Sequence, residues 1–178
     1  MGTTEPIQKN EDEIYNYLKE EDFLFYDYSF ILPKHKRDTF SLPPHHLDVW
    51  KYERKAGQSP IQLRIYDSLG NFVNGYCQCY GEMKIVNILS KKDFKFFPQF
   101  PNNYNLKFSD ELVLWDVPFD EQLLFENSNK KYTFVIYWNI WSNYYSKIIF
   151  KKLKKYLKKY DMRDDALIIV VNTDNISF

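Results

Sequence analysis

The last third of the chain has its most regular hydrophobic pattern. Two continuous apolar runs, "YTFVIYW" at 132–138 and "ALIIVVNTD" at 166–174, flank a segment whose apolar residues recur at helical spacing. A strand that is apolar on both faces is buried on both faces, and two such strands joined by a helix form a parallel pair with a right-handed crossover. The pattern therefore predicts a βαβ unit.

Weaker patterns upstream predict the rest of the fold. Helical spacing of apolar residues indicates a helix, alternation indicates a strand, and glycine, proline and asparagine mark turns. The predicted elements are a helix at 11–22, a strand or packed extended arm at 23–32, a strand at 47–55, a β-hairpin at 59–81, a helix at 82–97, and two short strands, "ELVLWDV" and "EQLLF", on either side of Pro118. We expect an α/β fold with a mixed sheet.

Length and composition indicate a folded chain of one main domain. At 178 residues, it suits one compact domain with an extension, or two very small domains. Aromatic residues make up 19% of the sequence, far more than a disordered chain carries. A loop rich in charge and proline at 32–48 is the best boundary, so we expect an N-terminal helical and extended region at 1–48 and an α/β domain at 49–178.

Charge and hydropathy limit the partners and the compartment. The chain carries 24 basic and 24 acidic residues, so no overall field draws it to nucleic acid. No apolar run reaches the roughly 18 residues that span a bilayer, and the N-terminus lacks the apolar core of a signal peptide. We expect a soluble protein of unassigned compartment. In one alternative, Met1 and Gly2 replace a removed export signal and the protein is extracytoplasmic.

The two cysteines, Cys77 and Cys79, lie in "GYCQCYG". On a strand their side chains point to the same face, where a disulfide between them would be strained. We favour a pair of small, half-buried hydrophobic residues, with a redox role as the alternative. Two ligands cannot complete a zinc site and no further Cys or His lies at the usual spacing, so we expect no metal and no cofactor.

The segment after the first buried strand predicts a helix with a lysine-rich face. At about 100° per residue its apolar side chains share one sector, and seven lysines cover most of the opposite side: Lys147, Lys151, Lys152, Lys154, Lys155, Lys158 and Lys159. Arginine usually leads in specific phosphate contacts and is scarce here, which favours a solvated face. Binding of an anion or of nucleic acid is the alternative.

At its start this helix resembles the thioredoxin-like family, in the branch of the TlpA-type extracytoplasmic oxidoreductases. The residues that carry the resemblance are "FVIYWNIWSNYYSK" and "IIVVNTD". Family members show a buried strand, a tryptophan and then Cys-x-x-Cys opening a helix, followed by a second buried strand that ends near an aspartate. Trp141 matches the tryptophan, whereas Ser142 and Tyr145 stand where the family has its two cysteines.

The loss of both thiols argues against redox chemistry at this turn. A helix N-terminus lowers the pKa of a thiol enough for disulfide exchange, but a serine hydroxyl there stays protonated. We expect Ser142 to be the helix N-cap, its side chain accepting a hydrogen bond from the first turn. A serine nucleophile needs a base, and the histidines are far away in the sequence: His35, His45 and His46.

The order of the predicted elements departs from the family's order. The family continues past the βαβ unit into a hairpin and a closing helix, but here the sequence ends soon after the second strand. The hairpin at 59–81 and the helix at 82–97 resemble those missing parts, which implies a permuted order. A truncated chain and a domain-swapped homodimer are the alternatives.

These observations favour a non-catalytic function. The resemblance implies a redox-inactive thioredoxin-like protein that acts as a protein-binding or structural module, with an unidentified protein partner. We expect the partner to contact exposed aromatic residues near the turn: Trp138, Trp141, Tyr144 and Tyr145. The alternatives are a thiol-disulfide oxidoreductase that uses Cys77 and Cys79, and an anion or nucleic-acid binder that uses the lysine face.

Overall fold

The computed structural model describes residues 9–33, 61–77, 106–118, 122, 125 and 128–175. Within these ranges the α-helices are α1 (Glu11–Glu20), α2 (Phe108–Leu114) and α3 (Asn143–Tyr160), and the strands are β1 (Tyr28–Ile31), β2 (Gln62–Asp67), β3 (Phe72–Cys77), β4 (Tyr132–Trp138) and β5 (Ala166–Asn172). None of the described helices combines the length and the apolar character needed to cross a bilayer.

The described strands form one mixed sheet in the order β1-β5-β4-β2-β3. β1, β5 and β4 run parallel, and β2 pairs antiparallel with both β4 and β3. The predicted α/β class, the mixed sheet, the βαβ unit and the hairpin are therefore confirmed. Because β1 pairs with β5, this strand of the predicted N-terminal region belongs to the same sheet as the strands of the predicted α/β domain.

Each face of the sheet carries its own apolar core. On one face, α1 and α3 pack against alternate residues of the central strands, including Leu63, Phe134 and Ile168. On the other face, α2 and the residues that follow it cover Val135 and Ile169. The second layer explains why β2 is buried on both sides, although its sequence alternates between apolar and polar residues.

Local sequence signals account for the helix on the first face and for the hairpin. The Asn10 side chain accepts the backbone N–H of Glu13 at 2.9 Å, and Glu13 in turn accepts the N–H of Asn10, which forms a capping box at the start of α1. In the hairpin turn, Asp67 Oδ1 accepts the N–H groups of Leu69 and Asn71. Gly70 lies between them with a φ of +72°, a conformation that favours glycine.

The two strands predicted on either side of Pro118 are contradicted by helical residues in the described part of each run. The run "ELVLWDV" lies mostly in α2, whose buried residues Phe108, Glu111 and Leu112 have the spacing of one helical face, and Gln122 and Phe125 of the run "EQLLF" are also helical. The strand predicted at 47–55, the helix predicted at 82–97 and the proposed boundary loop after residue 33 lie outside the described residues.

Candidate partner-binding site

The turn at 139–142 connects β4 to α3 at the carboxyl ends of two neighbouring parallel strands. Trp138, the last residue of β4, lies opposite Asn172, the last residue of β5. The two strands therefore end level with each other, and the chain leaves both of them at the same edge of the sheet. In α/β proteins this edge is where ligands are bound.

A buried carboxylate holds the turn from the inside. Both carboxylate oxygens of Asp174 accept the backbone N–H of Ile140, at 2.9 and 3.0 Å, and the N–H of Trp141 lies 3.4 Å from one of them. The side-chain amide of Asn172 donates to the same carboxylate at 2.7 Å. Burial raises the pKa of Asp174, while these hydrogen bonds act in the opposite direction.

A second set of buried polar groups fixes the start of the turn. Asn139 Oδ1 accepts the N–H of Ser142 at 2.8 Å, and its amide nitrogen donates to Thr173 Oγ1 at 3.3 Å. The Ser146 hydroxyl donates to the carbonyl oxygen of Asn139 at 2.6 Å. Thr173 donates to the carbonyl oxygen of Trp138 from its N–H at 2.8 Å. These bonds attach the turn both to α3 and to the end of β5.

Ser142 occupies the N-cap position of α3, as predicted, but not with the predicted hydrogen bond. Its side chain makes no capping bond to the first turn. Instead, its carbonyl oxygen accepts the N–H groups of Tyr145 and Ser146, and its own N–H is held by Asn139. The side-chain oxygen that organises the turn therefore belongs to Asn139, three residues before the serine.

The outside of the turn carries exposed aromatic rings. Trp141 is 50% exposed and Tyr144 is 61% exposed. The half-buried ring of Tyr145 meets the ring of Tyr144 edge to face, with 5.3 Å between their centroids. These three residues, Trp141, Tyr144 and Tyr145, lie within five consecutive positions on the turn and the first turn of α3, and we refer to them as the aromatic turn surface.

Trp138 does not belong to this surface, because it is completely buried. Its ring stacks on Tyr17 of α1 at 5.2 Å and meets Phe150 of α3 edge to face at 5.4 Å. Within the described part of the chain, its indole N–H has no hydrogen-bond partner. The expectation that Trp138 contacts a partner is therefore corrected: β4 places it in the core beneath the turn.

Helix α1 supports the same region from the side. The Tyr17 hydroxyl donates to Asn143 Oδ1 at 2.6 Å, so α1 is joined to the first residue of α3. Burial raises the pKa of Tyr17, and the negative charges of Glu21 and Asp174 raise it further. Tyr17 thus stays protonated at neutral pH and remains a hydrogen-bond donor to Asn143.

The other face of the sheet contains a buried polar cluster that sequence reasoning missed. Arg64 donates to Glu111 Oε1 at 2.7 Å, and the hydroxyls of Tyr66 and Tyr137 donate to the two oxygens of the same carboxylate. Trp115 Nε1 donates to the Tyr137 hydroxyl at 2.9 Å. Glu111 is 1% exposed, and helix α2 brings it onto the sheet.

The properties of this buried polar cluster indicate a structural role. Burial and the charge of Glu111 raise the pKa of Tyr66 and of Tyr137 well above the ordinary value. Burial lowers the pKa of Arg64, but the charges of Glu111, Tyr137 and Tyr66 and the hydrogen bond to Glu111 together outweigh this effect and raise it, so the guanidinium stays charged. With three donors on one carboxylate and almost no exposure, the cluster holds α2 against the sheet and offers no group to a substrate.

A surface cavity of about 310 Å³ lies at the opposite end of the sheet, beside the hairpin turn. Its wall includes Gly70, Phe108 and two lysines, Lys107 and Lys130. Lys107 donates to the Asn71 side chain, and Lys130 donates to the carbonyl oxygen of Asp164 at 2.8 Å. Because both cations already have partners, this cavity is a weaker candidate than the aromatic turn surface.

The cysteine alternative stays a prediction. Cys77 is the last residue of β3, opposite Gln62 of β2, and Cys79 lies outside the described residues. Among the residues that the structure describes, no group of three His, Cys, Asp or Glu side chains is arranged to hold a metal ion.

Comparison of the chain with protein-family models, with curated proteins and with solved structures finds no match.

Proposed function

We propose that this protein is a redox-inactive thioredoxin-like module that binds a protein partner through the aromatic turn surface. The observation that carries the proposal is the presence of exposed aromatic rings on a turn whose backbone is fixed from inside by Asp174 and Asn139. Tryptophan and tyrosine are the residues that most often anchor protein interfaces.

The fixed backbone supports binding because it lowers the entropic cost of association. A flexible loop must be ordered when a partner binds, and that ordering subtracts from the affinity. Here the N–H groups of Ile140, Trp141 and Ser142 are all held by buried side chains. Only the rings of Trp141 and Tyr144 then have to be ordered by the partner.

The same hydrogen bonds support the absence of catalysis. In an active site that stabilises an anion, backbone N–H groups point at the reacting atom. At this turn the N–H groups of Ile140 and Trp141 point at the protein's own carboxylate, Asp174. With Ser142 and Tyr145 at the family's cysteine positions, the turn lacks the thiol nucleophile that disulfide exchange would use.

The position of the hairpin supports the family resemblance. β2 and β3 precede the βαβ unit in sequence, yet they continue its sheet on the side of β4 away from β5. The hairpin that the thioredoxin-like family places after the βαβ unit would thus be supplied from upstream, as the permuted order requires. Neither a second copy of the chain nor a longer chain is needed to add a hairpin to this sheet.

Photo-crosslinking from the surface itself tests the proposal. Tyr144 is replaced by benzoylphenylalanine, the protein is irradiated in lysate of its source without reductant, and crosslinked proteins are identified by mass spectrometry. The matched control carries the same group at Leu69, which is 82% exposed on the hairpin turn at the other end of the sheet. We expect a distinct protein to crosslink from position 144 and not from position 69.

A second variant distinguishes specific capture from chance contact. Trp141→Ala in the Tyr144 crosslinking protein should weaken partner binding about thirtyfold and lower the yield of the same adduct with it, because an aromatic anchor of an interface contributes about 2 kcal/mol. Identical adducts from positions 144 and 69, or an unchanged yield with Trp141→Ala, would refute the proposal. A covalent adduct that forms without irradiation and is released by reductant would instead support the alternative chemistry at Cys77 and Cys79.

A further inference from the structure

We propose that the partner contacts this protein with an acidic polypeptide segment, which lies along the exposed face of α3 next to the aromatic turn surface. This inference depends on the proposed function, because it assigns the chemistry of the partner at that same site. It follows from the direction of the side chains on α3, the pairing of its lysines and the charge of its neighbours.

Tyr144 is in line with three lysines along α3. At 3.6 residues per turn, Tyr144, Lys151, Lys155 and Lys158 fall within a sector about 60° wide. The buried residues of α3, among them Leu153 and Leu157, occupy the opposite side. All four side chains of the sector are exposed. We call Lys151, Lys155 and Lys158 the lysine row.

The lysine row has no counter-charge within the described part of the chain. Lys147 and Lys154, by contrast, lie toward α1 and form ion pairs with Glu21 and Asp22. Two of the seven lysines of α3 are therefore neutralised by acids of the fold, whereas the lysine row keeps its positive charge in solvent. A partner supplies the missing negative charge.

The exposed acidic residues of α1 determine what kind of partner fits. α1 begins with Glu11, Asp12 and Glu13, which are exposed, and its carboxyl end carries exposed Glu20 as well. A bilayer or a nucleic-acid duplex is wide and would bring these carboxylates against its own negative charge. A single polypeptide segment is narrow enough to follow the row without covering α1.

The size of the surface sets the length of the segment. From Tyr144 to Lys158 the helix rises about 21 Å at 1.5 Å per residue. An extended peptide covers this distance with about six or seven residues at 3.3 Å each. The segment would place carboxylates beside the lysine row and an apolar or aromatic side chain beside Tyr144.

Fluorescence anisotropy with a defined probe tests the inference. The probe is a fluorescein-labelled peptide of about eight residues, rich in glutamate and ending in phenylalanine, and its control has glutamine in place of each glutamate. The protein variants are Lys151→Gln with Lys155→Gln, and a matched pair, Lys107→Gln with Lys130→Gln, on the opposite face of the sheet. Both pairs remove the same charge.

We expect the glutamate peptide to bind and the glutamine peptide not to bind. The Lys151 and Lys155 double variant should weaken binding about fivefold, whereas the matched pair should change it less than about twofold. Raising NaCl from about 50 to about 200 mM should weaken binding to the unaltered protein more than to the double variant. Circular dichroism checks that each variant keeps its fold.

Three results would overturn the inference: no binding of the glutamate peptide, equal loss in the two charge-matched pairs, or tighter binding to phosphatidylserine vesicles or to duplex DNA than to the peptide. These results leave the proposed function intact if position 144 still gives its specific crosslink. If that crosslink is absent, the proposed function fails first and the inference fails with it.

Discussion

The carboxylate of Asp174 accepts the backbone N–H of Ile140 on both of its oxygens, although 34 residues separate the two in sequence. This contact ties the end of β5 to the turn that follows β4. The next residue along the chain is Trp141, which carries an exposed ring. The position of the binding surface therefore depends on the buried carboxylate of Asp174, which no partner touches.

Asp174→Asn should therefore destabilise the protein and disturb its binding surface. The amide would present a donor where the carboxylate now accepts from Asn172 or from Ile140, which leaves buried donors unpaired. We expect the free energy of unfolding to fall by about 1 to 3 kcal/mol. Chemical denaturation measures this loss, and the matched variant Asp164→Asn, at an exposed position before β5, should change stability by less than about 0.5 kcal/mol.

The pH dependence of stability should carry the signature of Asp174. Burial raises its pKa in the folded protein, so the folded state binds the proton more tightly than the unfolded chain. The stability contributed in this way is complete below the unfolded pKa and is lost as the pH rises through the folded pKa. The unfolding free energy of the unaltered protein minus that of Asp174→Asn should therefore decrease as the pH rises from the unfolded pKa through the folded pKa.

Carboxyl ¹³C NMR provides a direct check of the same group. The resonance that disappears in Asp174→Asn should titrate with a midpoint above the ordinary aspartate value of 3.8. A midpoint at or below that value would contradict the effect of burial, and would mean that the hydrogen bonds from Asn172 and the turn dominate.

Arg64 and Glu111 should behave as one unit in a double-mutant cycle. Arg64→Met removes the only cation that bonds to Glu111 among the described residues and leaves a buried charge, so we expect a loss of about 3 to 5 kcal/mol. Glu111→Gln removes the counter-charge of Arg64 in the same way. The double variant should lose clearly less than the sum of the two single variants, and additive losses would show that the two residues are not coupled.

A comparison of Trp115 with Trp138 measures how much a buried indole hydrogen bond contributes to the free energy of unfolding. Trp115 Nε1 donates to the Tyr137 hydroxyl, whereas Trp138 Nε1 has no partner within the described residues. Both rings are buried, so Trp→Phe removes a similar amount of packing at each position. We expect Trp115→Phe to destabilise the protein by about 1 to 2 kcal/mol more than Trp138→Phe, as measured by urea denaturation.

The sequence predicts β4, α3 and β5 correctly because each has a strong pattern of its own. β4 and β5 are buried on both faces and consist of nearly continuous apolar runs, and from Ile149 to Leu157 the buried residues of α3 recur at helical spacing between lysines. The hairpin is likewise predicted by its turn residues, which Asp67 holds in place. In these segments local preference and tertiary environment agree.

The prediction fails where burial depends on a distant part of the chain. The run that begins at Glu111 is predicted to be a strand, yet in the structure it is helical and Glu111 faces the core together with Phe108 and Leu112. The helical spacing from Phe108 is the signal that was missed. The polar positions of β2, Gln62 and Arg64, are buried because α2 covers them, which no local pattern reveals.

The candidate site is predicted only in part, for a related reason. The pattern at the start of α3 locates the turn and its exposed aromatic residues, Trp141 and Tyr144. It does not show that Trp138 points inward, because a tryptophan at the end of a strand is compatible with either side of the turn. The pattern also does not identify Asp174, because its carboxylate reaches the turn only when β5 lies beside β4.

The position of β1 in the sheet has a consequence for synthesis on the ribosome. The Asp27 side chain accepts the N–H of Ile168 across 141 residues, and β1 pairs with no described strand other than β5. At about 5 to 20 residues per second, the N-terminal strand waits roughly 7 to 30 seconds for its partner to be translated. The hairpin, β4 and β5 can assemble in the order in which they emerge, so β1, the first of the described strands to be made, is the last of them to join the sheet.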